Sequence, residues 1–154
     1  VDLADVLEHV RQDVAPQVAE KGIQLRINLP ACLPHVLGDE ERIRQILLNL
    51  VGNAVKFTHV GYVRVTASRT ATGVVEIVVS DTGEGIAADV LPHIFDEFSQ
   101  GDSRVSRRFG GVGLGLAISR KLVLQMGGRI NVSSEPGVGS AFRVYLPMFQ
   151  PAQT

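Results

Sequence analysis

Val74-Val75-Glu76-Ile77-Val78-Val79-Ser80-Asp81-Thr82-Gly83-Glu84-Gly85-Ile86 is an apolar, β-branched run that ends on a carboxylate and then turns through two glycines. Val74 to Ser80 reads as a strand, and Asp81 falls at its edge. Gly83 and Gly85 permit positive φ and a close approach of backbone to a ligand. A carboxylate so placed can accept a hydrogen bond from the exocyclic amine of adenine, a group that guanine replaces with a carbonyl. The same residues also suit a plain Asp-Thr-Gly turn in which the aspartate closes its own backbone, so both readings stay open.

Immediately upstream, Gly61 to Arg69 pairs with this strand as a hairpin across Thr70 to Gly73. Before it lies Asn49-Leu50-Val51-Gly52-Asn53-Ala54-Val55-Lys56-Phe57, the end of a helix that opens near Asp39. Ile43, Ile46, Leu47, Leu50, Val51 and Ala54 form its buried side. Asn49, Asn53 and Lys56 are spaced four and three apart, so they project from one face. An amide carbonyl is a hard oxygen ligand suited to Mg²⁺, which takes its remaining ligands from water and phosphate. Lys56 would lie beside the same phosphates as a point charge. A solvated polar face with a Schellman-like exit at Thr58 fits the spacing equally.

Downstream, Ala87 to Ile94 is expected to form a short helix, and Ser99 to Gly111 is polar and without periodicity. Gly111-Val112-Gly113-Leu114-Gly115-Leu116 then opens a helix from about Val112 to Met126 that ends at Gly127-Gly128. Free N–H groups and the positive dipole end at such a start favour an anion. It is not a dinucleotide fingerprint, because Leu116 stands three after Gly113, and no Gly-Lys-Ser/Thr follows as in a P-loop. A tight loop alone would account for it too. Arg129 to Ser134 and Ser140 to Leu146 close the chain as strands around Glu135-Pro136-Gly137-Val138-Gly139. At the amino end Leu3, Val6, Leu7, Val10, Val14 and Val18 mark a helix after an Asp2 cap, kinked or broken at Pro16 and ending at Lys21-Gly22. Ile23 to Leu29 alternates as a strand and stops at Pro30. Hairpin strands with helices between them predict a two-layer α/β sandwich, a mixed sheet with its helices on one face.

At 154 residues the chain is one domain with room for a real core. A net charge of −1 leaves no basic stripe for nucleic acid. Cys32, the single cysteine, has no partner for a disulfide or a zinc site and reads as a buried or half-buried thiol, indifferent to redox compartment. No apolar run approaches a membrane span. Val1 falls inside an already amphipathic segment, which suggests a piece of something longer.

Taken together, these motifs resemble the catalytic and ATP-binding domain of sensor histidine kinases, within the GHKL group that includes gyrase, chaperone and mismatch-repair ATPases. The resemblance runs from the helix at Asp2 to Pro147. Asn49 to Phe57 is similar to that family's N box and Asp81 to Gly85 to its first glycine box. Phe95-Asp96-Glu97-Phe98 is similar to its F box, Gly111 to Gly115 to the second glycine box, and Gly137-Val138-Gly139-Ser140 to the final glycine motif. Gln100-Gly101-Asp102 resembles the lid opening of hybrid-type kinases, a weaker likeness. The resemblance implies a Bergerat fold that binds ATP and Mg²⁺. It implies that Asn53 ligates Mg²⁺ with Asn49 beside it and Lys56 near the phosphates. Asp81 would read adenine with a water shared by Ser140, while Gly83 and Gly85 shape the base pocket.

It further implies ATP contacts at Ile86, Phe98, Gly111, Gly113, Leu114, Gly115 and Leu116. Residues 99–111 would be an ATP lid, anchored by Phe95 and Phe98, with Arg104, Arg107 or Arg108 reaching the phosphates; Arg107 fits the usual spacing best. Residues 1–22 would then be a linking helix and 148–154 a tail. The partners implied are the dimerisation and phosphoacceptor domain of the same kinase and, indirectly, a response-regulator receiver domain. The full-length parent would be a homodimer, with this domain in the cytoplasm whether or not the parent is membrane-anchored.

One departure separates relatives. The GHKL ATPases place a water-activating glutamate four residues before the Mg²⁺ asparagine, where this chain has Asn49. An amide is no general base, so efficient hydrolysis is not expected. The phosphoacceptor histidine is absent: His9-Val10-Arg11-Gln12-Asp13-Val14-Ala15-Pro16 lacks the acidic residue after the histidine and the ending of a phosphoacceptor box. His35, His59 and His93 read as surface residues. No catalytic residue is therefore assigned within the chain. Two other readings remain, an ATPase clamp and a non-catalytic module that nucleotide orders for a partner.

Overall fold

The computed structural model describes residues 1–70, 72–95 and 113–148, the side chains of Gly113 and Leu114 excepted. Helix α1, Leu3–Lys21, starts where the Asp2 side chain accepts the Ala4 N–H at 2.9 Å, and ends at Gly22, whose N–H returns to Val18 and Ala19. It buries Leu3, Val6, Leu7, Val10 and Val14 at helical spacing. Of the kink or break expected at Pro16, the break does not occur: α1 runs through it as one helix. Pro16 lies on the exposed side, where water can serve the Gln12 carbonyl that loses its N–H partner.

Strand β1, Gln24–Asn28, leads through an irregular segment to helix α2, Glu40–Phe57, whose cap Asp39 accepts the Glu41 and Arg42 N–H groups. Cys32 lies exposed in that segment, not buried, because the segment makes a turn at the surface. Helix α2 is the central helix. It packs between α1 and helix α3, Gly113–Gln125, and over the strands β2, Tyr62–Arg69, and β3, Val74–Asp81. Ile43, Ile46, Leu47 and Leu50 are wholly buried, each worth about 1.5–3 kcal/mol relative to exposure. Thr58 ends α2 in an extended conformation, not the Schellman-like exit that was one reading of the spacing. Its buried hydroxyl donates to the Ala54 carbonyl at 2.7 Å.

Strands β4, Arg129–Glu135, and β5, Gly139–Pro147, complete a five-stranded sheet of order β1-β2-β3-β5-β4. Only β1 and β2 run parallel; the other pairs are antiparallel. The register aligns Val132, Phe142, Val79, Val65 and Ile27 across all five strands, and this row belongs to the core under the helices. The mixed two-layer α/β sandwich expected from the sequence is the fold. One local expectation fails. Ala87 to Ile94 forms turns and a short 3-10 helix, Leu91–His93, in place of an α-helix. Eight residues are too few to recover the cost of helix nucleation without strong tertiary help, and the segment is held by burial of Val90 and Ile94.

Candidate functional site

One end of the sheet carries a polar row on the helix-facing side. The register sets Asp81 opposite Ser140, and Ser140 opposite Ser134. These positions continue the alternation of Val79, Phe142 and Val132, so the row is where the core face turns polar. Asp81 Oδ1 accepts the Gly83 N–H at 2.9 Å, which closes the turn. Burial pushes the Asp81 carboxyl above its ordinary value, while the backbone N–H groups of Gly83 and Ser140 pull it back down. Closing a turn and reading a base are compatible roles, since a carboxylate has two oxygens and about four acceptor sites.

The turn after Asp81 is clamped from both sides. The Glu84 N–H donates to the Phe57 carbonyl at the end of α2 at 3.3 Å, and the Gly137 N–H donates to the Glu84 carbonyl at 2.8 Å. A Cβ on Gly83 would strike that Phe57 oxygen, and one on Gly85, at φ 75°, would strike the Glu135 carbonyl. Both glycines are thus required by space, and Gly85 by its backbone angle as well. Ser134 joins the clamp: its hydroxyl accepts the Ile86 N–H at 2.7 Å and lies 3.0 Å from the Gly139 carbonyl and 2.9 Å from Ser140 Oγ. Ser140 therefore already holds a protein partner beside Asp81. Ser134 escaped the sequence reading, although a serine in a strand that otherwise turns Ile130 and Val132 inward was a visible signal. A shallow, open depression lies at this end of the sheet, lined by Asp81, Ser134 and Ser140 and also by Thr82, Ser133 and Ala141.

The asparagine helix face divides into separate roles. Asn49 Nδ2 donates to the Gly115 carbonyl at 3.2 Å and to Ser119 Oγ at 3.1 Å, and Ser119 Oγ in turn donates to Gly115 at 2.9 Å. Asn49 thus latches the first turn of α3 onto α2. Ser119, wholly buried, is a second residue the sequence reading missed. Asn53 is different: its Oδ1 is buried and, among the described residues, has no hydrogen-bond partner. A buried amide oxygen without a donor costs free energy, and a cation at that point would relieve it. Lys56 is exposed, its ammonium 5.7 Å from the centre of the Phe57 ring.

The structure thus brings Asp81, Gly83, Gly85 and Ser140 together at the sheet end, and Asn49 with Gly115 at the start of α3. Both groups are tied to α2, one through Asn49 and the other through the Phe57 carbonyl. Ile86 and Leu116 point into the core, so each can wall a pocket only from behind. Gly113 opens α3, and the Leu114 side chain is outside the described residues. Phe98, Arg104, Arg107, Arg108, Gly111 and the whole of the expected lid, 99–111, lie outside them as well. Of the F box, Phe95 is described and meets Phe142 edge to face at 6.0 Å between ring centres. His9, His35, His59 and His93 are exposed, His59 Nε2 being 3.6 Å from Glu84 Oε2.

Residues 38–150 match the family model described as histidine kinase-, DNA gyrase B-, and HSP90-like ATPase. The chain is 40% identical over 145 residues to the signal transduction histidine-protein kinase BarA of Escherichia coli K12, covering 91% of this chain and 16% of that protein. It is 43% identical over 145 residues to the sensor histidine kinase AruS of Pseudomonas aeruginosa, covering 91% of this chain and 14% of the relative. The chain thus spans about a sixth of the curated relatives it matches. Among solved structures, full-length ShkA in complex with AMPPNP superimposes with a TM-score of 0.84 at 42% identity, over 99% of this chain and 31% of that one. The mycobacterial sensor histidine kinase MprB superimposes with a TM-score of 0.79 at 27% identity, over 96% and 95% of the two chains. With a family match over most of its length, relatives at 40% identity or more and a shared fold, the chain belongs to the histidine kinase-, DNA gyrase B-, and HSP90-like ATPase family, as the catalytic and ATP-binding domain of a sensor histidine kinase.

Proposed function

We propose that this domain holds MgATP and donates the γ-phosphoryl to a histidine on the dimerisation and phosphoacceptor domain of its own parent protein. The observation that carries the reading is Asn53 Oδ1, a buried acceptor without a donor among the described residues, on the helix face to which the family resemblance assigns the metal. Magnesium would supply charge neutralisation on the phosphate oxygens, with Asn53 Oδ1 as its protein ligand. Among the described residues no three His, Cys, Asp or Glu side chains cluster to hold a metal, which suits an ion held mainly by phosphate and water. Lys56 would add positive charge, Asp81 would take the adenine amine, and the start of α3 would face the phosphates with its N–H groups.

The nucleophile is then an imidazole nitrogen outside this chain. It forms a bond to the γ-phosphorus as the bond to the β,γ-bridging oxygen breaks. ADP departs with that electron pair, and the imidazole's remaining proton passes to a carboxylate on the phosphoacceptor domain. Positioning and charge neutralisation do most of the work in such a transfer. Asn49 favours transfer over hydrolysis, because the position that bears a carboxylate in the ATPase clamps here bears an amide already committed to Gly115 and Ser119. The receiver domain of a response regulator, a homodimeric parent and a cytoplasmic setting belong to the same proposal. Among the described residues no helix is long and apolar enough to cross a membrane.

The test is to mix the domain with the phosphoacceptor helix pair of its parent and labelled ATP. Acid-labile, alkali-stable label on the histidine is expected, lost with Asn53→Ala, while the domain alone hydrolyses ATP very slowly. Rapid turnover by the isolated domain would place it with the ATPase clamps. Nucleotide binding with no label in any mixture would leave a non-catalytic module.

A further inference from the structure

Lys21 is the last residue of α1, and its ammonium donates to three carbonyls at the end of α2: Val55 at 2.8 Å, Lys56 at 2.5 Å and Thr58 at 3.2 Å. An ammonium has three N–H donors, and here each has an acceptor. Carbonyls at a helix carboxyl end lack intrahelical partners and carry the negative end of the dipole, so a cation there is doubly favoured. The cap is supplied by a different helix, which makes it a tie between α1 and α2 as well as a cap.

What stands next to that tie gives it consequence. Phe57 lies between two of the capped residues, and its carbonyl accepts the Glu84 N–H. The Phe57 oxygen also fills the space that a Cβ on Gly83 would need, and the Gly83 N–H holds Asp81 Oδ1. An unbroken series of contacts therefore runs from the last turn of α1, through Lys21 and the end of α2, to the turn that aims Asp81. Asn53 lies in the last turns of α2, just before the capped carbonyls.

We infer that Lys21 is a positioning residue for the nucleotide site: it fixes the carboxyl end of α2, and through the Phe57 carbonyl the Gly83-Glu84 turn, so that nucleotide affinity depends on how α1 is seated. The inference rests on the ATP-binding reading above and adds a lever to it. A displacement of α1 along its axis would withdraw the ammonium from all three carbonyls together. The base-holding turn would then lose its backing without any change at Asp81 itself.

The test compares the unaltered domain with Lys21→Met, which keeps the stem and removes the donors, and with Lys21→Arg, which keeps charge and donors. ADP in EDTA is the calorimetric probe, because it reports on the base-holding turn without the metal. Titration in about 0.5 M NaCl screens any long-range effect of the lost charge. Below the melting temperature of every variant, Lys21→Met is expected to raise Kd roughly fivefold to twentyfold, with Lys21→Arg recovering most of that loss. A lowered melting temperature with an unchanged Kd would make Lys21 a helix cap only and overturn the inference. Equal weakening by Met and Arg would overturn it too, since donors would then not matter. Should Lys21→Met fail to fold, Lys21→Leu, which likewise has no donor, makes the same comparison. If the unaltered domain binds no nucleotide, the ATP-binding reading itself fails, an outcome separate from tight wild-type binding with an indifferent Lys21.

Discussion

Asp81 shows how one side chain is asked to do two things at different free-energy cost. Its carboxyl is raised above its ordinary value by burial, against the pull of the Gly83 and Ser140 N–H groups. A raised folded-state pKa means that the ionised form costs the apo protein stability. That cost is absent below the ordinary carboxyl value of 3.8 and is incurred in full as pH rises through the higher folded value. Asp81→Asn keeps an oxygen for the Gly83 N–H and removes the charge. The apo variant should therefore melt no lower than the parent at neutral pH, and the difference should shrink as the pH falls toward the ordinary carboxylate range. Its affinity for ATP should nonetheless fall by roughly 1.5–3 kcal/mol, because a charged acceptor facing the adenine amine is lost. Thermal melts across pH, with titrations of ATP and GTP, check both halves. Equal binding of ATP and GTP by the wild type would remove Asp81 from the role of base reader. The positions of Asp81 at a strand end and of Asn53 on the central helix were legible in the sequence, because a strand end, a glycine turn and a helical spacing each mark a local position. The latch at Asn49 was not, since its partner Ser119 lies 70 positions away and only the packing of α3 on α2 brings them together.

At the scale of elements, α2 is the part most fully written in local signals. Asp39 caps it, its apolar positions repeat at helical spacing, and its observed start and end match that pattern. The misreadings fall where local signals are weak or opposed. Of the kink or break expected at Pro16, the break does not occur at that exposed position of α1, and Ala87 to Ile94 carries a helical pattern too short to nucleate. The turn at Gly83 and Gly85 was read as permissive, whereas its surroundings make it obligatory. Gly85→Ala combines a positive φ with a Cβ directed at the Glu135 carbonyl, so the turn or the β4-β5 connection must shift. A loss of about 2 kcal/mol or more in stability is expected, with nucleotide binding weakened in the same variant because the turn bears on Asp81. A melt and an ADP titration that both match wild type would contradict this account of the clamp.

For the molecule as a whole, the sheet and the long helices α1, α2 and α3 form a frame in which one helix serves two jobs. The buried side of α2 belongs to the core, and its other side holds Asn49, Asn53 and the Phe57 carbonyl. Binary patterning made this layered plan readable, since alternating strands and an amphipathic helix can bury their apolar faces only against each other. The strand order was not readable in the same way. Insertion of β5 between β3 and β4 is a choice among pairings that alternation alone leaves equivalent. In the proposed function, the far side of α2 supplies the protein's oxygen to a metal carried by ATP. Calorimetric titration of ATP into the wild type and Asn53→Ala, each in Mg²⁺ and in EDTA, tests it most directly. Similar affinities are expected in EDTA, with a gain from Mg²⁺ that the wild type shows and the variant lacks; the same gain in both proteins would remove Asn53 from the role of metal ligand.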